Sequence, residues 1–330
     1  MGNFWKNKRV LITGAAGFIG SNLAANLLEC GAQLRLVDNM ERGKFEFISK
    51  LVSSAQFKLL DLRDYDSCIE AVKDVDIIIH LASKVGGIGF YQSHPFEVMA
   101  DNLQIDTNMI KASLQCGVTR FFYASSAHVY PLELQMSPEC PTISEDQAPP
   151  ADPELSYGWA KLVGEKTLQF AAQESPEMRI AMARYVGIYG KNQDFQLETG
   201  SVIPVFSHRA IRYPEIPFSI WGTGEETRSY CFIDDAIECT KLMIEKMEEE
   251  NIVGPLNVGR QELTKIKDIA NKLVAISGKD VILEYDESKK TTIWGQLCDC
   301  SKAKELLGWE AKTSLEDGLK VVYEDVKSRI

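Results

Sequence analysis

A doubly wound parallel α/β sheet followed by a smaller mixed α/β lobe is the fold class that this 330-residue sequence predicts. Three observations predict it. In the first half, short apolar runs alternate with stretches of helical period, the pattern of parallel strands joined by helices that cover both sheet faces. The apolar run Val10–Ile12 is followed by glycines at 14, 17 and 20 and then by the helical stretch Ser21–Glu29. After Arg184 the alternation stops, and Tyr185 to Thr227 is rich in Gly, Pro and aromatic residues. The chain is therefore divided into residues 1–184, a dinucleotide-binding domain, and 185–330, mainly a substrate-binding lobe with segments returning to the sheet.

Taken in order, strands are expected at 9–13, 33–38, 57–60, 76–81, 119–125 and 179–184. Helices are expected at 18–30, 65–73, 95–116 and 156–173, then near 201–212, 234–250, 264–277, 301–307 and 314–327. The Pro-rich, acidic stretch 131–153 reads either as a mobile flap over the site or as a plain connector.

The glycine turn has the form of a Rossmann dinucleotide motif. Gly14 permits the tight turn, Gly17 lets the backbone approach a pyrophosphate, and Gly20 lets helix and strand pack closely. The helix N-terminus offers unpaired N–H groups and a positive dipole end to the phosphates. A glycine triplet alone also makes ordinary turns, so the order strand, turn, helix carries the argument. Asp38 ends the next strand, LRLVDN, where its carboxylate meets ribose hydroxyls and repels a 2′-phosphate. That favours NAD over NADP, although Arg35 and Arg42 lie nearby in sequence. Asp61, after FKLL, is placed to meet the adenine amino group, or else to cap the following helix. Phe18, Ile19, Asn39, Leu62 and the strand end Leu81, Ala82 and Ser83 complete the expected cofactor contacts. His80, in the same HLAS strand, reads as a packed, hydrogen-bonded histidine.

The chemistry resides in Tyr157-Gly-Trp-Ala-Lys161, where i and i+4 share a helix face and the phenol and ammonium project together. A tyrosine with pKa near ~10 is a poor base, and a neighbouring cation favours its phenolate. The preceding strand ends in Ser125-Ser126, and Ser126 is placed to bond the alcohol that Tyr157 deprotonates.

Composition narrows the function classes. A net charge of −11 argues against nucleic acid, whose binding needs clustered cations. Eight cysteines without a paired spacing predict no metal site and suit a reducing cytoplasm. No apolar run approaches ~18 residues, so no membrane span is expected. The start MGNFWKNKRV leaves no room for a signal peptide and lacks the Ser/Thr of a myristoylation signal.

TGAAGFIG, Asp38, HLAS, Asn102, Thr107-Asn108, SSAHVY, YGWAK, IYG, TRSYCFIDD and LNVG together resemble the extended short-chain dehydrogenase/reductase family, and within it the nucleotide-sugar epimerases and dehydratases. KVGGIGF, RFFYASSAHVYP and TRSYCFIDD are most similar to the GDP-mannose 3,5-epimerases. The resemblance implies tightly held NAD and a nucleotide-diphosphate sugar as substrate. It also implies a homodimer built from helices 95–116 and 156–173. It makes Tyr157 the base at the sugar 4-hydroxyl, with Lys161 on the nicotinamide ribose and Ser126 on the hydroxyl. Substrate contacts are expected from Gly86, Gly87, Ser126, His128, Gly187, Val202, Arg228 and Trp294. Arg228 is expected to clamp phosphate, and Trp221 or Trp294 either stacks on the base or packs.

The sequence departs from the family at several positions. His128 stands where the 3,5-epimerases have cysteine, and Ser201-Val202 where they have a second lysine or histidine. Gly187 replaces a usual asparagine, and the arginine expected shortly before Asp299 is missing. His128 is then either a lone acid/base or a hydrogen-bonding partner of a sugar hydroxyl. C4 inversion is the simplest reading. C3/C5 inversion through His128, net C4 oxidation or dehydration, and a non-catalytic NAD(H)-binding regulator are the alternatives.

Overall fold

The computed structural model describes residues 4–289 and 292–330; the first three residues, on which the lipidation reading begins, lie outside the described set. Seven strands form the large sheet: β1 (Arg9–Thr13), β2 (Gln33–Asp38), β3 (Gln56–Leu59), β4 (Ile77–His80), β5 (Arg120–Ser126), β6 (Arg179–Tyr185) and β7 (Ile252–Val258). Their spatial order is β7-β6-β5-β4-β1-β2-β3, and every pairing is parallel. The chain reverses direction of travel across the sheet between β1 and β4. In an open α/β sheet such a switch point opens a crevice at the carboxyl ends of the strands.

Parallel strands covered on both faces need apolar residues throughout, and Val10–Ile12 and Ile77–Ile79 have no exposed surface. Alternate residues serve opposite faces. Val10, Ile12, Ile77 and Ile79 join one core with Leu23, Leu27, Ile237 and Met243, from the helices Phe18–Glu29 and Ile233–Lys246. Leu11, Ile78, Phe121 and Tyr123 join a second core with Met109 and Leu168, from the helices Pro95–Gln115 and Ser156–Glu174.

β7 lies beyond residue 185 and escapes a reading by apolar period because Gly254-Pro255 interrupts it. An edge strand tolerates proline, whose missing N–H is not needed on the outer side, and the register shifts there between Val253 and Leu256. The smaller lobe packs the helices Val202–Arg212, Ile266–Ser277 and Leu315–Ser328 together. Beside them lies a four-stranded sheet of Thr264–Lys265, Thr227–Arg228, Gly295–Cys298 and Thr142–Ile143.

Thr142–Ile143 decides between the two readings of the Pro-rich stretch. Asn257 Nδ2 donates to the Ile143 carbonyl at 3.1 Å, and Arg184 Nη1 donates to the Glu145 carbonyl at 2.8 Å. Gln135, 1% exposed, donates to the carbonyls of Tyr130 and Pro131. The stretch is a connector pinned to both sheets.

Candidate active site

At the carboxyl ends of β1, β2, β4 and β5 lies a crevice of about 880 Å³. Gly14, Gly17, Phe18, Ile19 and Gly20 form its floor. Gly14 has φ +65°, and a Cβ at residue 20 would lie 2.2 Å from the Gly14 carbonyl oxygen. Only glycine brings this helix so close to the turn. Gly17 caps the helix Phe18–Glu29 without a side chain and gives its own N–H to the Gly14 carbonyl, so the N–H groups of Phe18 to Gly20 are those that the helix start leaves without intrahelical partners. A dinucleotide's pyrophosphate fits that end.

Asp38 is 8% exposed and accepts from Ala16 N–H at 3.0 Å and Met40 N–H at 2.8 Å. Burial pushes its carboxyl above the usual range, and those two N–H bonds oppose the shift. Both nearby arginines are engaged within the protein, and of the two only Arg42 lines the crevice. Arg35 donates to Gln56 and to the Ala71 carbonyl, away from the crevice. Arg42 donates to the Val85 carbonyl at 2.7 Å and pairs with Asp194 at 3.5 Å.

Asp61 lines the crevice, and Asp64 is the residue that caps the helix Tyr65–Val72, accepting from Ser67 N–H at 2.9 Å. The capping reading of Asp61 is therefore replaced by a contact with Arg63, whose guanidinium bonds Asp61 and holds its carboxyl below the usual range. Asn39, Leu62, Leu81, Ala82 and Ser83 also line the walls. Sequence reasoning missed an ionic rim here: Glu41 pairs with Lys84, which also meets Glu97 at 2.8 Å, and Arg63 meets Asp101 at 2.8 Å. No period or motif marks such pairs, because their partners come from separate segments, Glu97 and Asp101 from the helix Pro95–Gln115 and the others from loops.

At the other end stand Tyr157, Lys161, Ser126 and His128. The Tyr157 phenol faces the hydroxyls of Ser126 and Ser83, both of which favour its ionised form, and the Ser83 hydroxyl donates to Asn102 Oδ1 at 2.5 Å. Burial pushes that phenol well above its ordinary value. Lys161 is 1% exposed, and its Nζ lies 5.9 Å from the Tyr157 ring centroid and 4.8 Å from that of Tyr123. Burial lowers the Lys161 ammonium, while Asp106 and Glu165 oppose the shift.

Behind this lysine a buried chain of hydrogen bonds fixes its counter-charge. The Thr13 hydroxyl accepts from Leu81 and Ala82 N–H, so its own proton goes to His80 Nδ1, 2.8 Å away. His80 Nε2 then carries the ring proton and donates to Asp106 Oδ1 at 3.1 Å. The Tyr123 hydroxyl donates to Asp106 Oδ2 at 2.5 Å. Burial would raise Asp106, but Lys161 and these donors hold its carboxyl below the usual range. Glu165, the second carboxylate near Lys161, is itself held by Arg184 at 2.7 Å and by Ser125 at 2.5 Å.

His128 lies edge-on to Tyr157, ring centroids 5.9 Å apart. Burial, reinforced by the neighbouring Arg228 charge, holds its imidazole down to about 4. At neutral pH it is an uncharged ring that can donate or accept one bond but binds a proton weakly.

The expected substrate contacts divide. Ser126, His128 and Gly187 line the crevice; Gly86, Gly87, Val202, Arg228 and Trp294 lie outside its walls. Arg228 donates to the carbonyls of Thr227 and Ile293, and its charge reaches His128 and Glu154. Trp294 ties its backbone to Gln135 and Thr227. Val202 opens the helix Val202–Arg212. Gly187 has φ +54°, and a Cβ there would lie 2.0 Å from the Ser229 carbonyl oxygen, which explains why no asparagine occupies this position. Among the described residues, no group of three or more His, Cys, Asp or Glu side chains could hold a metal ion. None of the described helices is long and apolar enough to cross a membrane.

A glycine floor at one end of the crevice and a lysine-backed phenol at the other define a dinucleotide-dependent enzyme that acts on an alcohol or its ketone. Residues 10–259 match the model described as the NAD dependent epimerase/dehydratase family, and the chain belongs to that family. GDP-mannose 3,5-epimerase 1 of Oryza sativa subsp. indica is 31% identical over 330 residues, 99% of this chain and 84% of the relative. The crystal structure of UDP-glucose 4-epimerase with UDP-glucose from Thermotoga maritima is 28% identical, with a TM-score of 0.86 over 97% of this chain and 99% of that one. UDP-glucuronic acid 4-epimerase from Bacillus cereus, in complex with UDP-glucuronic acid and NAD, is 27% identical, with a TM-score of 0.84 over 98% and 100%.

Proposed function

We propose that this enzyme inverts C4 of a nucleotide-diphosphate hexose, GDP-linked sugars among the candidates, by transient oxidation to a 4-ketone and reduction from the other face. One observation carries the reading. Tyr157 lies against Ser126 and Ser83 with the Lys161 cation 5.9 Å from its ring centroid, while His128, held down to about 4, takes up a proton less readily than an ordinary imidazole, which argues against it as the acid/base at C3 or C5. Tyr157 takes the proton of the 4-hydroxyl, Ser126 steadies that hydroxyl, and the Lys161 charge favours the phenolate. NAD held there would supply the hydride acceptor, and in its reduced form the donor, for C4. Gly14, Gly17 and Gly20 would hold its pyrophosphate, Asp38 the adenosine ribose and Lys161 the nicotinamide ribose. Arg228, outside the crevice walls but near enough for its charge to act on His128, would hold a diphosphate that extends past that residue, and its guanidinium makes no ion pair among the described residues.

The 4-epimerases among the similar structures support this reading. The 31%-identical 3,5-epimerase favours the second, C3/C5 inversion, which needs His128 as acid/base. In this account residues 1–184 hold NAD and 185–330 hold most of the sugar nucleotide. Phe96, 84% exposed, and Trp159, Val163 and Phe170 on the neighbouring helix leave an apolar stripe that a homodimer would cover. No disulfide joins the described cysteines, which suits a reducing cytoplasm. The test is a panel of GDP-, UDP- and dTDP-sugars incubated with the enzyme in D₂O and followed by NMR. C4 inversion without label at C3 or C5 is expected; solvent deuterium at either carbon contradicts it.

A further inference from the structure

We infer that Tyr91 is a positioning residue for the reacting phenol: its ring lies flat on Tyr157, fixes the direction of the Tyr157 oxygen and keeps water from that face. The inference rests on Tyr157 being the base. The two rings are 5.1 Å apart, centroid to centroid, and 19° from parallel. His128 meets Tyr157 edge-on, and Lys161 holds a cation 5.9 Å from its centroid. Ser83 and Ser126 face the phenol oxygen but do not fix the plane of the ring that carries it. Tyr91 supplies that restraint, because an offset stack resists rotation about the ring's long axis.

Tyr91 is itself held firmly. It is 7% exposed and packs with Val98 and Leu155 in a small apolar cluster that Tyr157 adjoins. The Gly86 backbone lies by its hydroxyl, and its own N–H donates to the Gly87 carbonyl at 3.2 Å. A Cβ on residue 86 would lie 2.3 Å from the Phe90 ring, so Gly86 sits tightly against the helix Ile88–Ser93, which carries both Phe90 and Tyr91. The KVGGIGF stretch thus serves as a mount for a ring placed against the catalytic one.

Residue 157 faces titratable groups from several elements: Tyr91, His128, Lys161 from its own helix, Asp106, and Tyr123 from β5. Removing the Tyr91 ring hydrates Tyr157 and leaves the other four in place. The experiment uses the NAD-loaded enzyme with Tyr91→Ala, Tyr91→Leu and Tyr91→Phe. Tyrosinate absorbance is followed against pH as the difference between each variant and the same variant carrying Tyr157→Phe, which reads residue 157 alone. In the Ala or Leu variant, ionisation of residue 157 is expected to begin at least about tenfold lower in hydroxide concentration than in wild type, because the phenol is no longer desolvated. kcat is expected to fall roughly tenfold, with KM changed less than about twofold, as for an interaction that acts on the reacting group. Tyr91→Phe keeps the stack and stays within about twofold of wild type in both readouts. An unchanged ionisation in the Ala and Leu variants, or a Phe variant as impaired as they are, overturns the inference. A shifted ionisation in an enzyme that turns over no nucleotide sugar would instead sink the functional reading and leave the stacking intact.

Discussion

The two ends of the crevice are built by different means. The dinucleotide end is mostly backbone: a glycine turn, an uncapped helix start, and a carboxylate fixed by two N–H groups. The sugar end is mostly side chain: a phenol between two aromatic rings, a neutral imidazole, and an arginine held by the carbonyls of Thr227 and Ile293. Backbone sites tolerate almost no substitution and say little about the substrate. Side-chain sites can change one residue at a time.

The contrast is broken most severely at residue 20. In Gly20→Ala the new methyl meets the Gly14 carbonyl at 2.2 Å, so the turn must move. We expect protein purified without NAD and melting below wild type; an unchanged absorbance ratio for bound cofactor would refute the backbone account. Next comes the buried support of the sugar end. Glu165→Ala leaves the Arg184 charge unpaired and is expected to cost about 3–5 kcal/mol in denaturant unfolding, against under about 1 kcal/mol for an exposed pair such as Lys320–Glu316. Loss of Asp38 in the Ala variant leaves two N–H groups without their acceptor and is expected to cost about 1–3 kcal/mol, with weaker NAD retention on gel filtration.

The smallest effect is the sharpest for function. His128→Gln should reduce C4 inversion by less than about tenfold, since a neutral hydrogen-bonding partner is replaced by another. His128 also has a stability signature. Its folded value is depressed to about 4 from an ordinary ~6.5, so the unfolded chain takes up the proton first as pH falls. Its contribution is complete above about pH 6.5 and is lost between there and about pH 4. His80, also lowered by burial, adds a parallel loss. The wild-type pH slope of unfolding should therefore exceed that of His128→Gln over this window, and equal slopes would remove His128 from it.

What the sequence reveals follows the same division. The six strands from Arg9 to Tyr185 stand close to the apolar runs that announce them, because a sheet covered on both faces demands such runs. The glycine floor, Asp38, Tyr157 and Lys161 are legible because fixed spacings place them. β7 is hidden by Gly254-Pro255, since apolar period does not tell an edge strand from a loop once proline enters. The depressed His128 and the flat stack of Tyr91 on Tyr157 depend on burial and on residues from separate segments. The Pro-rich stretch 131–153 reads as loose by composition, yet Ile143, Glu145 and Gln135 pin it through partners that local sequence does not announce.

The most direct test of the central claim is stopped-flow absorbance of bound NADH on mixing the NAD-loaded enzyme with its nucleotide sugar, in wild type and in Tyr157→Phe. Without the phenol, NADH formation should slow by about 10²–10⁴-fold while NAD content is unchanged. NADH appearing at the wild-type rate in the Phe variant would contradict a tyrosine that draws the proton from the sugar alcohol.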